Sequence, residues 1–210
     1  MDRDMGPELL RIDGLLTDGM PEAVDLRVCN RQVWMLSGVS GSGKSRFLKA
    51  LADLVVHSGS ARLQGQSMNA MSAESWRRKV MYFSAETAWW SDRVEAHFES
   101  QPDENALEQL GLDVSIWQKN PDDLSSGEKQ RLALLRGLQY QPQVLLLDEI
   151  TANLDAESTL RTENLLRDYL ERSEKQAAIL WISHSEQQIE RMMSDNCHLR
   201  FDGGRQGEAL

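Results

Sequence analysis

The chain has 210 residues, of which 40% are hydrophobic, and its formal net charge at pH 7 is −10. This composition is sufficient for the buried core of one α/β domain and excludes an intrinsically disordered chain. Because the excess of carboxylates repels a phosphodiester backbone, we expect no nucleic acid among its partners.

The sequence also lacks the usual signals of membrane insertion and secretion. No apolar stretch approaches the roughly 20 residues needed to cross a bilayer, and residues 1–7 contain no apolar signal core. Cys29 and Cys197 are far apart and have no CxxC spacing, which is typical of small buried hydrophobic residues in a reducing compartment. The chain is therefore expected in the cytoplasm, and another polypeptide would have to hold it at a membrane.

The first third of the chain predicts two kinds of strand. Short segments favour an antiparallel β layer at residues 9–13, 23–28 and 61–63. Residues 33–36 form a continuous apolar run, which is typical of a parallel strand covered on both faces by helices. A glycine-rich turn and a helical pattern follow this run, as in an open α/β sheet with ligands at the carboxyl ends of its strands.

The turn at residues 38–45 reads GVSGSGKS and satisfies the P-loop pattern G-x-x-x-x-G-K-[ST] between a strand and a helix. Its glycines let successive backbone N–H groups surround phosphate oxygens, and the helix N-terminus adds a positive dipole end. Lys44 is expected to reach the β- and γ-phosphates, and the Ser45 hydroxyl to ligate Mg²⁺. A glycine turn that binds nothing is the alternative.

The middle of the chain differs from its surroundings. Residues 94–119 are charged, follow a helical pattern and contain no strong strand. We expect an inserted helical lobe at about residues 85–123, within a single domain spanning 1–210 whose remaining parts are 8–84 and 124–202.

Residues 124–131 read LSSGEKQR and lead into a helical stretch, where serine and glycine are ordinary capping residues. The next apolar run, 144–147, ends in Asp148 and Glu149. Beside a P-loop, Asp148 is expected to hold Mg²⁺ and Glu149 to orient or deprotonate the attacking water. A charge that only adds solubility at a strand end is the alternative for Glu149.

Residues 151–155 read TANLD and precede a predicted amphipathic helix at 156–172, whose charged face is solvated. A third continuous apolar run, 178–182, is followed by Ser183 and His184. A histidine after a strand is usually a packing residue, so a functional role for His184 depends on the other motifs.

In this order the motifs resemble those of the ABC (ATP-binding cassette) ATPases over nearly the whole chain. Residues 124–131 are similar to the family's signature, LSGGQ followed by a basic residue, and residues 151–155 are similar to its D-loop. His184 resembles the family's switch histidine. Residues 135–151 and 179–184 are similar to a narrower group, the bacterial ATPase subunits of iron-export ABC transporters (FetA-like).

The resemblance implies an α/β fold, a P-loop NTPase cassette with a parallel-sheet core, an antiparallel β subdomain and an inserted helical subdomain. It implies ATP hydrolysis with Mg²⁺ as cofactor, Glu149 and His184 as catalytic residues, and Ser45 and Asp148 as metal ligands. The implied nucleotide contacts are Gly38, Ser40, Gly41, Ser42, Gly43, Lys44, Ser45, Arg46, Ser125, Ser126, Gly127, Glu128 and Asp155.

The resemblance also implies two partners. A second copy packs head to tail, so that ATP lies between the P-loop of one copy and the signature of the other. An integral membrane permease, a separate polypeptide, holds the chain at the inner face of the cell membrane. Trp89 and Trp90 occupy a position beside the groove that receives this permease in the family, and packing between lobes is the alternative for them.

The sequence departs from the family pattern in three places. Ala85 replaces a glutamine that contacts Mg²⁺ and the attacking water, and Glu86 either substitutes for it or is a surface charge. Thr17 stands where many members stack an aromatic ring on adenine, so we expect weak selectivity for the base. Ser126 replaces a glycine of the signature, which is a mild change.

Two other functions remain open from the sequence. A soluble ABC ATPase outside transport is one, although the long coiled coils, paired cassettes and basic surfaces of such proteins are not seen in the sequence. A degenerate cassette that only binds is the other. Ala85 favours the degenerate cassette, whereas the presence of Lys44, Glu149 and His184 opposes it.

Overall fold

The structure is a computed structural model that describes residues 6–100, 104–173, 175–202 and 205–206. It contains two compact units. The first consists of the described residues within Met1–Tyr82, Pro142–Glu149 and Ser173–Leu210, and the second of those within Phe83–Gln141 and Ile150–Arg172. The domain organisation inferred from the sequence, with a helical lobe at about 85–123, stays a prediction.

Four strands form an antiparallel sheet: β1 (Glu8–Thr17), β2 (Val24–Cys29), β4 (His57–Leu63) and β5 (Gln66–Ser67). Their order across the sheet is β2-β1-β4-β5. In β1 the side chains of Leu10, Ile12 and Leu15 are buried, and the same core contains residues of β2 and β4. The antiparallel segments expected from the sequence are confirmed as β1, β2 and β4.

Six strands form a second sheet: β3 (Val33–Gly38), β6 (Val80–Ser84), β7 (Val144–Asp148), β8 (Ala178–Ile182), β9 (His198–Asp202) and β10 (Arg205–Gln206). Their order is β10-β9-β3-β8-β7-β6. β3 runs parallel to β8 and β9, and β7 runs parallel to β8. All residues of β7 and β8 are buried, as their continuous apolar sequences predict.

The described part of the first unit contains three α-helices: α1 (Lys44–Leu51), α2 (Ala73–Lys79) and α6 (Glu186–Met192). α1 buries Phe47, Leu48 and Leu51 in the same core as the strands. The indole N–H of Trp76, on α2, donates to the carbonyl of Leu51 at 2.8 Å and so joins the end of α1 to α2.

The second unit contains α3 (Glu104–Gln109), α4 (Ser126–Leu138), α5 (Ala156–Arg172) and three short 3₁₀ helices, Val94–His97, Val114–Gln118 and Pro121–Asp123. α5 has the bounds that its periodicity predicts. In the region expected to be helical the described helices are short, namely α3 and the three 3₁₀ turns. Asp113 and Asn120 accept hydrogen bonds from backbone N–H groups two residues on and so close two of these turns locally.

Both cysteines lie in the first unit as free, buried thiols. Burial raises the pKa of Cys197 to about 11, so this thiol stays protonated at neutral pH.

None of the helices in the described residues is both long and apolar enough to cross a membrane.

Two glycines of the antiparallel sheet provide a matched test of backbone crowding. Gly14 and Gly59 both have positive φ, 60° and 81°. A methyl group on Gly59 would lie 2.1 Å from the carbonyl oxygen of Gly14, whereas one on Gly14 would meet no atom within 4 Å. We expect Gly59→Ala to lower the free energy of unfolding by about 3 kcal/mol and Gly14→Ala by about 1 kcal/mol.

Chemical denaturation of the two variants measures this difference. Equal losses would show that the β1–β4 contact relaxes around an added side chain and that strain at positive φ is the whole effect.

Candidate functional site

The glycine-rich loop connects the end of β3 to the start of α1. Gly38 has φ of 133°, and a methyl group there would lie 2.3 Å from the carbonyl oxygen of Phe201 on β9. Gly43 caps α1 with φ of 97°. Since only glycine adopts these angles without strain, the loop can turn its backbone N–H groups towards the N-terminus of α1. Such an arrangement favours an anionic ligand.

Lys44 is the first residue of α1, and it is buried. Its ammonium group donates to the carbonyl oxygens of Gly38 at 2.8 Å and Val39 at 2.9 Å. Burial lowers the pKa of Lys44, while the negative charges of Glu149 and Asp148 oppose this shift. The cation is thus held at the loop, with carboxylates close enough to affect it.

The carboxylate of Asp148, at the end of β7, is held by two hydroxyl groups. Ser45 donates to Oδ1 at 2.9 Å and Tyr82 donates to Oδ2 at 2.5 Å. The carboxylate is 8% exposed. One hydroxyl oxygen and one carboxylate oxygen therefore lie side by side at the start of α1, and both are ligands that Mg²⁺ accepts.

Glu149 and His184 form a second pair beside Asp148. His184 Nε2 lies 3.0 Å from Glu149 Oε1, and the backbone N–H of Glu149 donates to the carbonyl of Ile182. Glu149 has φ of 52°, a left-handed conformation that costs a non-glycine residue about 1–2 kcal/mol. The end of β7 thus turns sharply and leaves the carboxylate partly exposed next to the imidazole.

Several of these residues line one cleft of about 250 Å³ in the first unit. Gly38 and Asp148 are not part of its lining, but they bond the lining residues Lys44 and Ser45. The structure brings together Ser40, Gly41, Ser42, Gly43, Lys44, Ser45, Arg46, Glu149 and His184, and adds Gly19 from the loop after β1. The P-loop, the carboxylate and the histidine singled out in the sequence therefore meet in space. Their roles in binding and catalysis stay predictions.

The signature-like segment forms the start of α4 in the second unit. Ser125 is the N-cap: its hydroxyl accepts from the N–H of Glu128, whose carboxylate accepts from the N–H of Ser125 at 2.9 Å. This reciprocal capping box stabilises the helix end. The backbone hydrogen bond from Ser125 lowers the pKa of Glu128. Ser125 and Ser126 are exposed.

Asp155 precedes α5 in the same unit and caps its first turn. Its two oxygens accept from the N–H and the hydroxyl of Ser158, each at 2.8 Å, and the backbone hydrogen bond lowers the pKa of Asp155. The guanidinium of Arg131 donates to Gly127 O, Leu110 O and Ser158 Oγ. Arg131 therefore ties the starts of α4 and α5 together.

The cleft residues lie in the first unit, whereas Ser125, Ser126, Gly127, Glu128 and Asp155 lie in the second. Ala85 and Glu86 also lie in the second unit, after Ser84, whose carbonyl accepts from Gln130 Nε2 at 3.0 Å. The proposed substitution of Glu86 for the missing glutamine stays a prediction.

Thr17 does not line the cleft. It is buried at the end of β1, and its hydroxyl donates to the carbonyl of Val56 at 2.6 Å. The loop that follows carries Gly19 to the cleft instead. Thr17 is thus a structural residue of the strand end and offers no surface to a base.

Trp89 and Trp90 form a cluster with His97 and Arg136 in the second unit. The guanidinium carbon of Arg136 lies 4.7 Å from the ring centre of Trp89 and 4.9 Å from that of Trp90. His97 Nε2 accepts from the N–H groups of Trp90 and Ser91. Trp90 nevertheless is 70% exposed, so the cluster holds a large apolar surface in a fixed position.

Sequence reasoning missed Gly19, Tyr82 and Arg131. Tyr82 follows an apolar strand pattern, and only the neighbouring positions of β6 and β7 in the sheet reveal its contact with Asp148. Gly19 reaches the cleft through the loop after β1, which carries no motif. Arg131 is the last residue of the signature-like segment, so its place in a helix that begins at Ser126 could have indicated a contact at i−4.

Comparison with known proteins agrees with this geometry. A family model described as "ABC transporter" matches residues 22–152. The chain is 35% identical over 167 residues to the "Probable iron export ATP-binding protein FetA" of Escherichia coli (strain K12), covering 74% of this chain and 73% of that protein. It is 28% identical over 196 residues to the "Phosphate import ATP-binding protein PstB" of Aeropyrum pernix, covering 81% and 76%.

A similar fold occurs in a solved structure titled "Structure of a bacterial Atm1-family ABC exporter with ATP bound". The TM-score is 0.77 at 19% sequence identity. The match covers 97% of this chain but only 39% of that longer chain. At this identity the likeness concerns the fold alone.

The capping box at the start of α4 predicts a dependence of stability on pH. Because the pKa of Glu128 is lower in the folded state, its ionised form contributes stability above its usual pKa, and this is lost as the pH falls through the lowered value. We expect Glu128→Gln to reduce the fall in the free energy of unfolding between about pH 5 and pH 3. At pH 7 the variant should lose the stability that the ionised carboxylate contributes, since glutamine accepts from the N-cap N–H without the charge.

Denaturation curves at several pH values measure this effect. Glu190→Gln, which removes an exposed carboxylate on α6, is the matched control. The same pH dependence in Glu128→Gln and the unmodified protein would contradict the prediction.

Proposed function

This chain belongs to the ABC transporter family, and from that premise we propose that it supplies a transporter with energy while a separate polypeptide spans the membrane. The chain is an ATPase, as ATP-binding members of this family are. The observation that supports the proposal is one cleft that combines a glycine-rich loop, the buried Lys44, the Glu149–His184 pair and Ser45, which bonds Asp148.

The phosphates of ATP bind at the loop between β3 and α1. The N-terminus of α1 and the ammonium group of Lys44 provide positive charge there. In the structure Lys44 donates to Gly38 O and Val39 O, so binding of a triphosphate exchanges these neutral acceptors for charged ones. Charge-assisted hydrogen bonds are the stronger kind, and this exchange favours the bound state.

Mg²⁺ fits the oxygen pair formed by Ser45 Oγ and Asp148 Oδ1, which lie 2.9 Å apart. Held there, Mg²⁺ would neutralise part of the negative charge of the phosphates. Tyr82 orients the Asp148 carboxylate by holding its other oxygen. Tyr82 is thus a positioning residue for the metal site.

Hydrolysis is carried by Glu149. Its carboxylate orients the attacking water and accepts a proton from it. His184 lies 3.0 Å from one carboxylate oxygen and fixes its direction. The turned backbone at Glu149 places this carboxylate beyond the buried strand, where a water molecule can reach it.

Two copies are needed for a complete site. Ser125, Ser126 and Asp155 are exposed on the copy that carries them, so they are accessible to a second copy. The 13-residue helix α4 has its N-terminus at Ser126 and offers a positive dipole end to the γ-phosphate. A two-fold axis then forms two identical sites, each with the P-loop of one copy and the signature of the other.

The exposed Trp90 supports a membrane partner. Its ring is held by Arg136 and His97, and rigid aromatic side chains are enriched at protein interfaces. We infer that this surface receives the permease, which places the chain at the inner face of the membrane. The 35% identity to an iron export ATP-binding protein favours metal export, with the permease contacting the cargo.

The dimer scheme predicts the behaviour of Glu149→Gln. This variant should keep its affinity for Mg²⁺–ATP, lose hydrolysis by about 100-fold or more, and elute as a dimer from a sizing column in ATP. The matched control is Lys44→Ala, which should lose ATP binding and stay monomeric. Glu149→Gln that binds ATP and remains a monomer would contradict the head-to-tail arrangement.

The membrane partner predicts what copurifies with the chain. In mild detergent extracts of the source cells, the unmodified protein should retain a multi-spanning membrane protein, identified by its peptides. Trp90→Ala should reduce the recovered amount several-fold, because hot-spot aromatics carry much of an interface's energy. Val56→Ala, which removes another exposed apolar side chain, should change nothing. Recovery of soluble proteins only would favour a non-transport ABC ATPase.

A further inference from the structure

Arg46 is the second residue after Lys44 and lies at the edge of the cleft. Its side chain is 54% exposed. Successive residues of an α-helix are about 100° apart, so Lys44 and Arg46 leave α1 in nearly opposite directions. Lys44 bonds the glycine-rich loop, whereas Arg46 bonds the loop after β1.

The guanidinium of Arg46 is held on one side by that loop. Its Nη1 donates to the carbonyl oxygen of Asp18 at 2.8 Å. A methyl group added to Gly19 would lie 2.8 Å from Arg46 Cδ and 2.9 Å from Nε. The side chain therefore packs directly on the bare backbone of Gly19, and its remaining surface faces the cleft and solvent.

The two walls of the cleft come from different sheets. Glu149 and His184 follow β7 and β8 of the six-stranded sheet, while Gly19 follows β1 of the antiparallel sheet. Because the proposed role of Glu149 is to activate the water that attacks the γ-phosphate, this phosphate must lie at the first wall. With the γ-phosphate there, the opposite wall, which contains Gly19 and Arg46, is left for the ribose and base.

Among the described residues that line the cleft, the imidazole of His184 is the one aromatic ring, and it lies beside Glu149 at the first wall. Arg46 offers the planar group at the base end, and a guanidinium stacks on aromatic faces. We propose that Arg46 binds the nucleobase of ATP by stacking its guanidinium plane on the purine ring. This inference rests on the proposed function, because it assigns the base end of the same site.

A phosphate contact is the competing role for an arginine in this cleft. The bond to Asp18 O already engages one nitrogen, and the Asp18 carboxylate lies 3.8 Å from the same nitrogen. Lys44 and the helix N-terminus serve the phosphates from the other side of α1. Both observations favour the base, and the two roles make opposite predictions for a lysine at this position.

The test compares the affinities of ATP, GTP and inorganic tripolyphosphate, each with Mg²⁺, by calorimetry. Stacking predicts that Arg46→Ala and Arg46→Lys both lower the affinity for ATP and for GTP by about five- to tenfold. Arg46→Tyr, which restores a planar ring, should bind ATP more tightly than Arg46→Ala. Tripolyphosphate affinity should be the same in all variants, because no base is present. Arg27→Ala, at an exposed position on β2, is the control for charge.

Wild-type ATP affinity in Arg46→Lys, or an equal loss for ATP and tripolyphosphate in Arg46→Ala, would assign Arg46 to the phosphates and overturn the proposal. An Arg46→Ala variant that binds ATP as tightly as the unmodified protein would also overturn the proposal. The proposed function fails by a different result, namely an unmodified protein that does not bind ATP or a Lys44→Ala variant that binds it normally. Thermal melts of each variant confirm folding.

Discussion

The parallel register of β3, β7 and β8 is the constraint on which the cleft depends. In this register Leu36 and Asp148 both lie opposite Ile182, so the residues that follow the three strands emerge at one edge of the sheet. A shift by one residue would turn each buried side chain to the other face. Because β7 and β8 are apolar on both faces, their sequences have no polar–apolar alternation that would oppose such a shift. The hydrogen bonds from Ser45 and Tyr82 to Asp148 fix the register from outside the ladder.

The second unit is organised around helix ends. Ser125 and Glu128 cap α4, Asp155 and Ser158 cap α5, and the half-buried guanidinium of Arg131 connects the two. Burial lowers the pKa of Arg131, while the negative charges of Asp155 and Glu128 oppose the shift. Because the half-buried guanidinium bonds an acceptor at the start of each helix, the network favours a single arrangement of the two helix starts. Those starts present the residues that a second copy is proposed to contact.

The sequence predicted the elements whose signals are local. Continuous apolar runs gave β3, β7 and β8, and periodicity gave the bounds of α5. The cleft could be anticipated because the P-loop pattern, Asp148 with Glu149, and His184 each follow a predicted strand. Tyr82 and Gly19 could not, since their places depend on which strands and loops are neighbours in space. Val114–Gln118 and Pro121–Asp123 lie in a region expected to be helical, but they form 3₁₀ turns because the side chains of Asp113 and Asn120 close them locally.

At Glu149 the requirements of folding stability and of catalysis conflict, because the left-handed backbone is strained while the carboxylate is needed for hydrolysis. Glycine would relieve the strain, and asparagine would reduce it, yet neither supplies a carboxylate beside His184. Directed evolution that selected only for thermal stability would therefore favour substitutions at Glu149 that stabilise the protein and abolish its activity. A screen on this scaffold needs a catalytic readout from its first round.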